Sequence, residues 1–178
     1  MMNLLKGFIN LLDTLNEANA NFGRWTAGLF LAAMVCMIIA QVGFRYLLND
    51  SLTWTEELSK FAMVWIACLV APYAYKHHLN VSIEMFHQAL PAALARVAEI
   101  AVTLLVLLIS YLFFKYSLGF VANGASINAA SVPLSLFYVY LCMPYAFGSL
   151  FLVGIQRLLE QTSTPIIHSN NVFQQELK

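Results

Sequence analysis

Two long apolar stretches dominate the hydrophobic pattern of the chain, and two shorter ones lie between them. Residues 25–44 and 132–155 contain no charged side chain, and each is long enough as a helix to cross the bilayer core, which is about 30 Å thick. Residues 61–75 and 100–116 are shorter, but each can be extended towards its N-terminus to a full span. The pattern predicts four transmembrane helices, at about residues 24–45, 54–75, 93–116 and 132–156.

The composition indicates an integral membrane protein. Hydrophobic residues make up 61% of the 178 residues, charged residues make up 10%, and the mean hydropathy is +0.73; a soluble domain carries roughly 25% charged residues. Only helices and closed barrels span membranes, because lipid offers no partner to free backbone groups. Runs such as residues 29–40 do not alternate as barrel strands do. We therefore predict an all-α fold, with residues 1–178 forming one membrane domain.

The N-terminal segment, residues 3–22, is amphipathic. Leucine and phenylalanine recur at helical spacing, and charged and amide side chains lie elsewhere. Such a helix typically lies in the membrane interface or packs on a partner, so we predict an interfacial helix before the first span. A frayed polar leader is the alternative. No cleavable signal peptide is apparent, and residues 160–178 form a polar tail.

The distribution of lysine and arginine predicts the orientation in the membrane. With four spans, both termini and the middle loop share one side of the membrane. That side has six basic residues: Lys6, Arg24, Lys76, Arg96, Arg157 and Lys178. The other side has three: Arg45, Lys60 and Lys115. The excess favours cytoplasmic termini, with residues 46–56 and 117–131 on the outside.

The cysteine, histidine and glutamate residues do not show the spacing of a catalytic, haem or metal site. Cys36, Cys68 and Cys142 lie inside predicted spans without a Cys-x-x-Cys pair and are expected to be buried apolar side chains. The four histidines lie in loops or the tail, which excludes haem ligation within the bundle. Glu84 and His87 form one Glu-x-x-His unit, whereas a di-iron bundle needs two. We expect no catalytic, cofactor or metal site, no enzyme activity and, without a basic stripe, no nucleic-acid partner.

An autonomous four-helix homo-oligomeric carrier or exporter is an alternative to an accessory protein. Coupled carriers keep ionisable side chains inside the membrane. Glu99 is the one acid that a predicted span could immerse, and Arg96 can pair with it on the same helical face. The first span offers only Gln41. The sequence therefore favours a helper protein without its own route for a hydrophilic substrate.

Two adjacent acids begin the second span, in the stretch TWTEELSK. Thr53 and Glu56 have the spacing of a capping box, with the threonine as N-cap. Glu56 and Glu57 would both lie in the first turn, where the helix dipole favours negative charge. Glu56 can also pair with Lys60 four residues further on. These residues predict a helix that starts at the membrane surface.

The same region carries a recognisable set of motifs. The set consists of Arg45-Tyr46, Asn49, Ser51, Trp54-Thr55-Glu56-Glu57-Leu58 and Met63-Val64-Trp65. After the second span, His78, Val81 and Pro91 match a further pattern in which Lys76 and Ser82 replace the usual glycine and aspartate. Together these residues resemble the small membrane subunit, of the DctQ/SiaQ type, of tripartite ATP-independent periplasmic (TRAP) transporters.

This resemblance implies a non-catalytic scaffold subunit in the bacterial inner membrane. Its implied partners are a large multi-span subunit, which moves the substrate by an elevator mechanism with sodium coupling, and a periplasmic binding protein. The implied substrate is an organic acid such as a C4-dicarboxylate or a sialic acid. The residues expected to contact partners or to support the motif are Arg45, Asn49, Ser51, Trp54, Glu56, Glu57, Trp65, His78 and Pro91. Within this set we hypothesise that Glu57, with Arg45 and Trp54, holds the loop between the first and second spans against a partner protein.

Overall fold

The computed structural model describes residues 2–47, 52–77 and 92–163. These residues form five helices, namely α1 (Met2–Leu47), α2 (Thr53–Lys76), α3 (Ala92–Gly124), α4 (Leu136–Tyr140) and α5 (Cys142–Ser163). Four candidate spans lie within them: Ile9–Leu47, Thr53–Lys76, Leu94–Gly124 and Leu136–Gln161. The prediction of an all-α protein with four membrane-spanning segments is confirmed.

The first helix is longer than a single span requires. Its 46 residues extend about 69 Å at 1.5 Å per residue, whereas a bilayer with its headgroups is about 40–45 Å thick. The predicted segment 3–22 is therefore helical, but it continues into the first span without a break. No proline interrupts residues 2–47, and a glycine inside a helix costs only about 1 kcal/mol. The placement of this segment in the membrane interface stays a prediction.

The fourth span is broken near its start, where the sequence predicts one helix from residue 132. Residues 136–140 form α4, and Leu141 separates it from α5. Pro144 explains the break, because its ring clashes with the carbonyl four residues earlier and it has no N–H to donate. The third span differs in length as well: α3 continues to Gly124 instead of ending near residue 116. The loop predicted at 117–131 is therefore displaced to residues 125–135.

The helix α5 lies at the centre of the bundle. The antiparallel pair α1 and α2 packs on one side of it, and α3 packs on the other side. Within the described residues, α3 contacts α4 and α5 but neither α1 nor α2. Rings of Phe113 and Phe147 pack 5.0 Å apart between α3 and α5. At the same contact, a Cβ on Gly154 would lie 2.9 Å from Leu107.

A row of small residues brings α1 close to α2. Ala20 and Ala27 are almost completely buried, and Gly23 lies between them on the same face. A Cβ on Gly23 would lie 2.5 Å from the backbone oxygen of Leu69. Small residues allow this close approach of two helix backbones, as in other membrane helix pairs.

Polar side chains join three helices at the end of the bundle where α1 begins and α5 ends, here called the terminal end. Lys76 on α2 forms ion pairs with Asp13 at 3.0 Å and Glu17 at 2.8 Å on α1. Asn16 donates a hydrogen bond of 2.7 Å to Gln156 on α5, and Gln156 donates one of 2.8 Å to Asp13. The polar face of α1 therefore points into the bundle, because its hydrogen-bonding groups find partners there.

The apolar face of the same segment points outwards. Leu11, Leu15 and Phe22 are exposed, while Asn16 is 3% exposed and Gln156 is 4% exposed. The helical spacing predicted from the sequence is correct. The buried side of the helix is therefore the polar one at Asn16.

Candidate partner-contact site

We call the opposite end of the bundle, where α1 ends and α2 begins, the loop end. Most of the residues that the sequence motifs single out lie there. The helix α2 begins at Thr53, with Leu52 as its N-cap and no side-chain capping bond. The predicted capping box is therefore wrong, because the helix starts one residue early and Glu56 becomes its fourth residue. Thr55 supplies a local bond instead, donating to the Leu52 carbonyl at 2.7 Å.

Glu56 makes a local ion pair on the surface of α2. Its carboxylate lies 2.8 Å from the Lys60 ammonium, four residues further along the helix. The predicted pairing of these two residues is confirmed. Both side chains are mostly exposed, so this pair contributes little to holding the bundle together.

Glu57 has a different partner, the loop between α3 and α4. Its two carboxylate oxygens accept hydrogen bonds from the backbone N–H groups of Ala130 at 2.9 Å and Ser131 at 2.6 Å. Two successive backbone N–H groups pointing at one anion form a concave nest, and bonds to a charged acceptor are the stronger kind. Glu57 lies beyond the first helical turn, so its role is to attach this loop to α2 and not to complement the dipole.

The loop held by Glu57 has a defined structure of its own. Ala129 donates to the Leu134 carbonyl and Leu136 donates to the Ile127 carbonyl, each at 2.9 Å. The hydroxyl of Ser135 accepts from the N–H of Phe137 at 3.2 Å and donates to the Gly124 carbonyl at 3.0 Å. This serine therefore caps α4 and ties it back to the end of α3.

A glycine is needed where α3 meets α4. A Cβ added at Gly124 would lie 2.7 Å from a ring carbon of Tyr140 and 3.1 Å from the nitrogen of Phe137. The absence of a side chain lets the end of α3 pass directly over the start of α4. The loop is consequently short, and its small residues come within reach of Glu57.

An open groove lies between α2 and this loop. Its volume is about 480 Å³, and its walls come from α2, the loop and the start of the fourth span. Glu57 and Lys60 are its charged lining residues, whereas Phe61, Val64 and Val139 are apolar. The groove is thus mainly apolar, with charged groups on the α2 side, at the end of the bundle.

The other predicted site residues are distributed around this end and along α2. Arg45 and Trp54 are exposed, and within residues 2–47, 52–77 and 92–163 Arg45 forms no hydrogen bond or ion pair with Glu57. Trp65 packs edge-on against Phe30 of α1, with ring centroids 6.0 Å apart. The remaining four lie outside the described residues: Asn49, Ser51, His78 and Pro91.

Ala130 and Ser131 are the contacts that sequence reasoning did not find. They come 73 and 74 residues after Glu57, and they contribute backbone groups, which carry no residue-specific signal. The small residues in the run Ala129-Ala130-Ser131 are the one indication of a close backbone approach.

The cysteines and metal ligands add no chemistry to this end of the protein. Cys142 is buried, but Cys68 is half-buried and Cys36 is exposed, so the prediction of three buried cysteines is wrong for Cys36. An exposed thiol on a spanning helix faces the apolar solvent, where it costs little. In the part of the chain that the structure describes, no group of three or more His, Cys, Asp or Glu side chains is placed to hold a metal ion.

Comparison with known families agrees with the motifs at the loop end. The family model of the DctQ component of tripartite ATP-independent periplasmic transporters matches residues 34–164, most of the chain. The chain belongs to this family. It is therefore a component of a membrane transporter and not an enzyme, and its four apolar helices make it a multi-pass inner-membrane protein.

Individual DctQ relatives are distant in sequence. The ectoine TRAP transporter small permease protein TeaB of Halomonas elongata is 24% identical over 171 residues, covering 94% of this chain and 85% of that protein. The sialic acid TRAP transporter small permease protein SiaQ of Vibrio cholerae is 32% identical over 78 residues, covering 43% and 45%.

Another relative is a much longer protein. The isethionate TRAP transporter permease protein DctMQ of Oleidesulfovibrio alaskensis is 26% identical over 151 residues, which cover 80% of this chain and 24% of that protein. The chain thus spans about a quarter of that relative.

Proposed function

We propose that this DctQ protein is the non-catalytic scaffold subunit of a sodium-coupled transporter that imports an organic acid. Its partners are a large multi-span subunit, which carries substrate and sodium, and a periplasmic binding protein. The family match along the spans carries this proposal. The hydrogen bonds and ion pairs between helices support it, since Asn16, Gln156 and Lys76 each bond to a neighbouring helix.

For the substrate we propose a C4-dicarboxylate or a sialic acid. Relatives of similar identity are named for four different compounds, namely isethionate, ectoine, C4-dicarboxylate and sialic acid. Substrate choice therefore does not follow the sequence of the small subunit closely. It is expected to reside in the binding protein and the large subunit.

Reconstitution tests this division of labour. The purified chain alone in liposomes should show no saturable uptake of either acid, because Asn16, Gln156 and Lys76 are already bonded to neighbouring helices. Uptake should require the large subunit, the binding protein and a sodium gradient together. Saturable uptake by the chain alone would instead favour the autonomous homo-oligomeric carrier.

For the orientation we propose cytoplasmic N- and C-termini, on the excess of basic residues at the terminal end. The structure is compatible with this, because α1 begins and α5 ends at the same end of the bundle. In a background without the three native cysteines, a membrane-impermeant thiol reagent applied to intact cells should modify Ser126→Cys and not Ser82→Cys. The opposite labelling pattern would reverse the orientation.

For the contact with partners we propose that Glu57 positions the loop at residues 125–135, and that Arg45 and Trp54 lie beside it on the surface that meets a partner. Arg45→Gln should lower the yield of the complex without changing the thermal stability of the isolated chain. Glu57→Gln should lower both, because the amide replaces one of the two accepting oxygens by an NH2 group, which would face a backbone N–H donor and carries no charge. Glu56→Gln is the matched control, since its ion pair is confined to α2. Wild-type complex yield in the Arg45 and Glu57 variants would disprove a partner contact here.

A further inference from the structure

Three buried polar atoms at the terminal end have no hydrogen-bond partner in the described part of the chain. They are the hydroxyl oxygen of Tyr75 on α2, Nη2 of Arg157 on α5 and Oε1 of Gln161 on α5. Tyr75 is only 6% exposed. Buried polar groups are nearly always hydrogen-bonded, so these three orphaned atoms need an explanation.

Two of these atoms belong to side chains that stack on each other. The guanidinium carbon of Arg157 lies 4.5 Å from the centre of the Tyr75 ring. In this stacked geometry neither Nη2 of Arg157 nor the Tyr75 hydroxyl has a hydrogen-bond partner among the described residues, so a cation–π contact is the direct attraction between the two side chains. Within residues 2–47, 52–77 and 92–163, no ion pair neutralises Arg157. A partly buried charge without a counter-ion is costly.

A second arginine–tyrosine pair lies at the same end of the bundle, and its two side chains are hydrogen-bonded to each other. Arg24 on α1 lies 5.0 Å from the centre of the Tyr73 ring. It is exposed, and its Nη1 donates to the Tyr73 hydroxyl at 3.1 Å. The Arg24 pair thus has an internal bond and access to solvent, whereas Nη2 of Arg157 and the Tyr75 hydroxyl are buried without a hydrogen bond to any described residue.

An anion with two acceptor oxygens would satisfy both donors at once, namely Nη2 of Arg157 and the Tyr75 hydroxyl, and it would also balance the arginine charge. The depth of the site indicates its source. Tyr75 lies 18 residues after Glu57 along α2, or about 27 Å, close to the thickness of the bilayer core of about 30 Å. With Glu57 at one boundary, Tyr75 and Arg157 lie at the other, where lipid phosphates are found.

We propose that Tyr75 and Arg157 form a binding site for the phosphate of a phospholipid headgroup at the terminal end of the bundle. The guanidinium supplies the charge, and the Tyr75 hydroxyl supplies a second donor. Gln161 lies one turn further along the same face of α5, and its side-chain N–H donates to the Thr103 hydroxyl at 3.2 Å. Its free carbonyl oxygen is an acceptor for a hydroxyl or ammonium donor on the headgroup.

Lipid retention by the purified full chain tests the proposal. In dodecyl maltoside micelles, native mass spectrometry should detect a bound dioleoyl phosphatidylglycerol, and that lipid should raise the thermal unfolding midpoint by mass action. Arg157→Gln should weaken retention by at least about tenfold, the change expected when a charged donor leaves a desolvated site. Tyr75→Phe should also weaken it, while keeping the aromatic ring and its packing.

The matched controls are Arg24→Gln and Tyr73→Phe, which change the same residue types at the same end and should leave retention at the wild-type level. Dioleoylglycerol has the same acyl chains without phosphate and should give no protection. Tyr75→Phe keeps the test valid if Arg157→Gln does not fold.

Three outcomes would overturn the assignment. The first is equal lipid retention in the wild type, Tyr75→Phe and Arg157→Gln. The second is equal protection by inorganic phosphate at millimolar concentration, which would indicate a site for free phosphate. The third is a wild-type protein that retains no lipid, combined with an Arg157→Gln variant that no longer forms the complex with the large subunit. That result would indicate that Arg157 pairs with an acidic group on the large subunit.

Discussion

Replacement of Asn16 by leucine tests whether the polar face of α1 is a structural contact. Asn16 donates to Gln156 Oε1 at 2.7 Å and, more weakly, to the Leu152 carbonyl at 3.4 Å. Leucine has a similar size and removes both bonds, which leaves the Gln156 acceptor buried without its donor. A hydrogen bond between membrane helices is worth about 0.6 kcal/mol on average and at most about 1.7. An orphaned buried group costs about 1–3 kcal/mol, so we expect a loss of about 1–3 kcal/mol.

The assay is the free energy of unfolding from a titration with sodium dodecyl sulfate in mixed micelles, followed by tryptophan fluorescence. Asn21→Leu is the matched control, because among the described residues the Asn21 side chain bonds to Glu17 on its own helix and to no other helix. It should change stability by no more than about 0.5 kcal/mol. The double variant Asn16→Leu/Gln156→Leu should lose less than the sum of the single variants, since the two side chains bond to each other. Equal stabilities of Asn16→Leu and Asn21→Leu would refute the inward orientation of this face.

Three further predictions concern the helix contacts and the loop end. Gly23→Ala should destabilise the bundle by about 1–3 kcal/mol, because its methyl group would lie 2.5 Å from the Leu69 carbonyl oxygen. The control is Gly28→Ala, whose methyl group would enter open space and should leave the free energy of unfolding unchanged in the same titration. Gly124→Ala should also cost about 1–3 kcal/mol by pushing α3 away from α4, and Gly119→Ala, again in open space, is its control in thermal unfolding. Glu56→Gln should leave both the unfolding midpoint and complex yield unchanged, and a clear loss of either would show that Glu56 has a partner beyond Lys60.

The spans were predictable from the sequence because hydropathy over about 20 residues is a local property. The ends of the spans were less predictable. The extension of α3 to Gly124 and the break at Leu141 depend on how the chain turns between α3 and α5. Taken by itself, Pro144 indicates only that the fourth span can kink close to this residue. Helix ends set by tertiary packing carry a weaker local signal than helix interiors.

The partners of polar side chains were the least predictable feature. The sequence placed Glu56 beside Lys60 because four residues separate them on one helix. It could not pair Glu57 with Ala130, because that contact crosses 73 residues and uses a backbone N–H that every non-proline residue has. The partner of Asn16 was not predictable for the same reason: a polar stripe on a helix indicates either water or another helix, and only the position of α5 shows that Asn16 bonds to Gln156.

The distribution of these partners bears on what the subunit can do in transport. A substrate route through a membrane needs polar groups that are free to replace the water around the substrate. In the described part of the chain, Lys76 forms ion pairs with Asp13 and Glu17 between α1 and α2, and Glu57 is held by the loop. Groups bound in this way stabilise the arrangement of the helices and would have to break existing bonds to bind a moving substrate. Polar side chains that are bound in this way fit the proposed role of a scaffold, which holds a partner in place and does not carry the substrate.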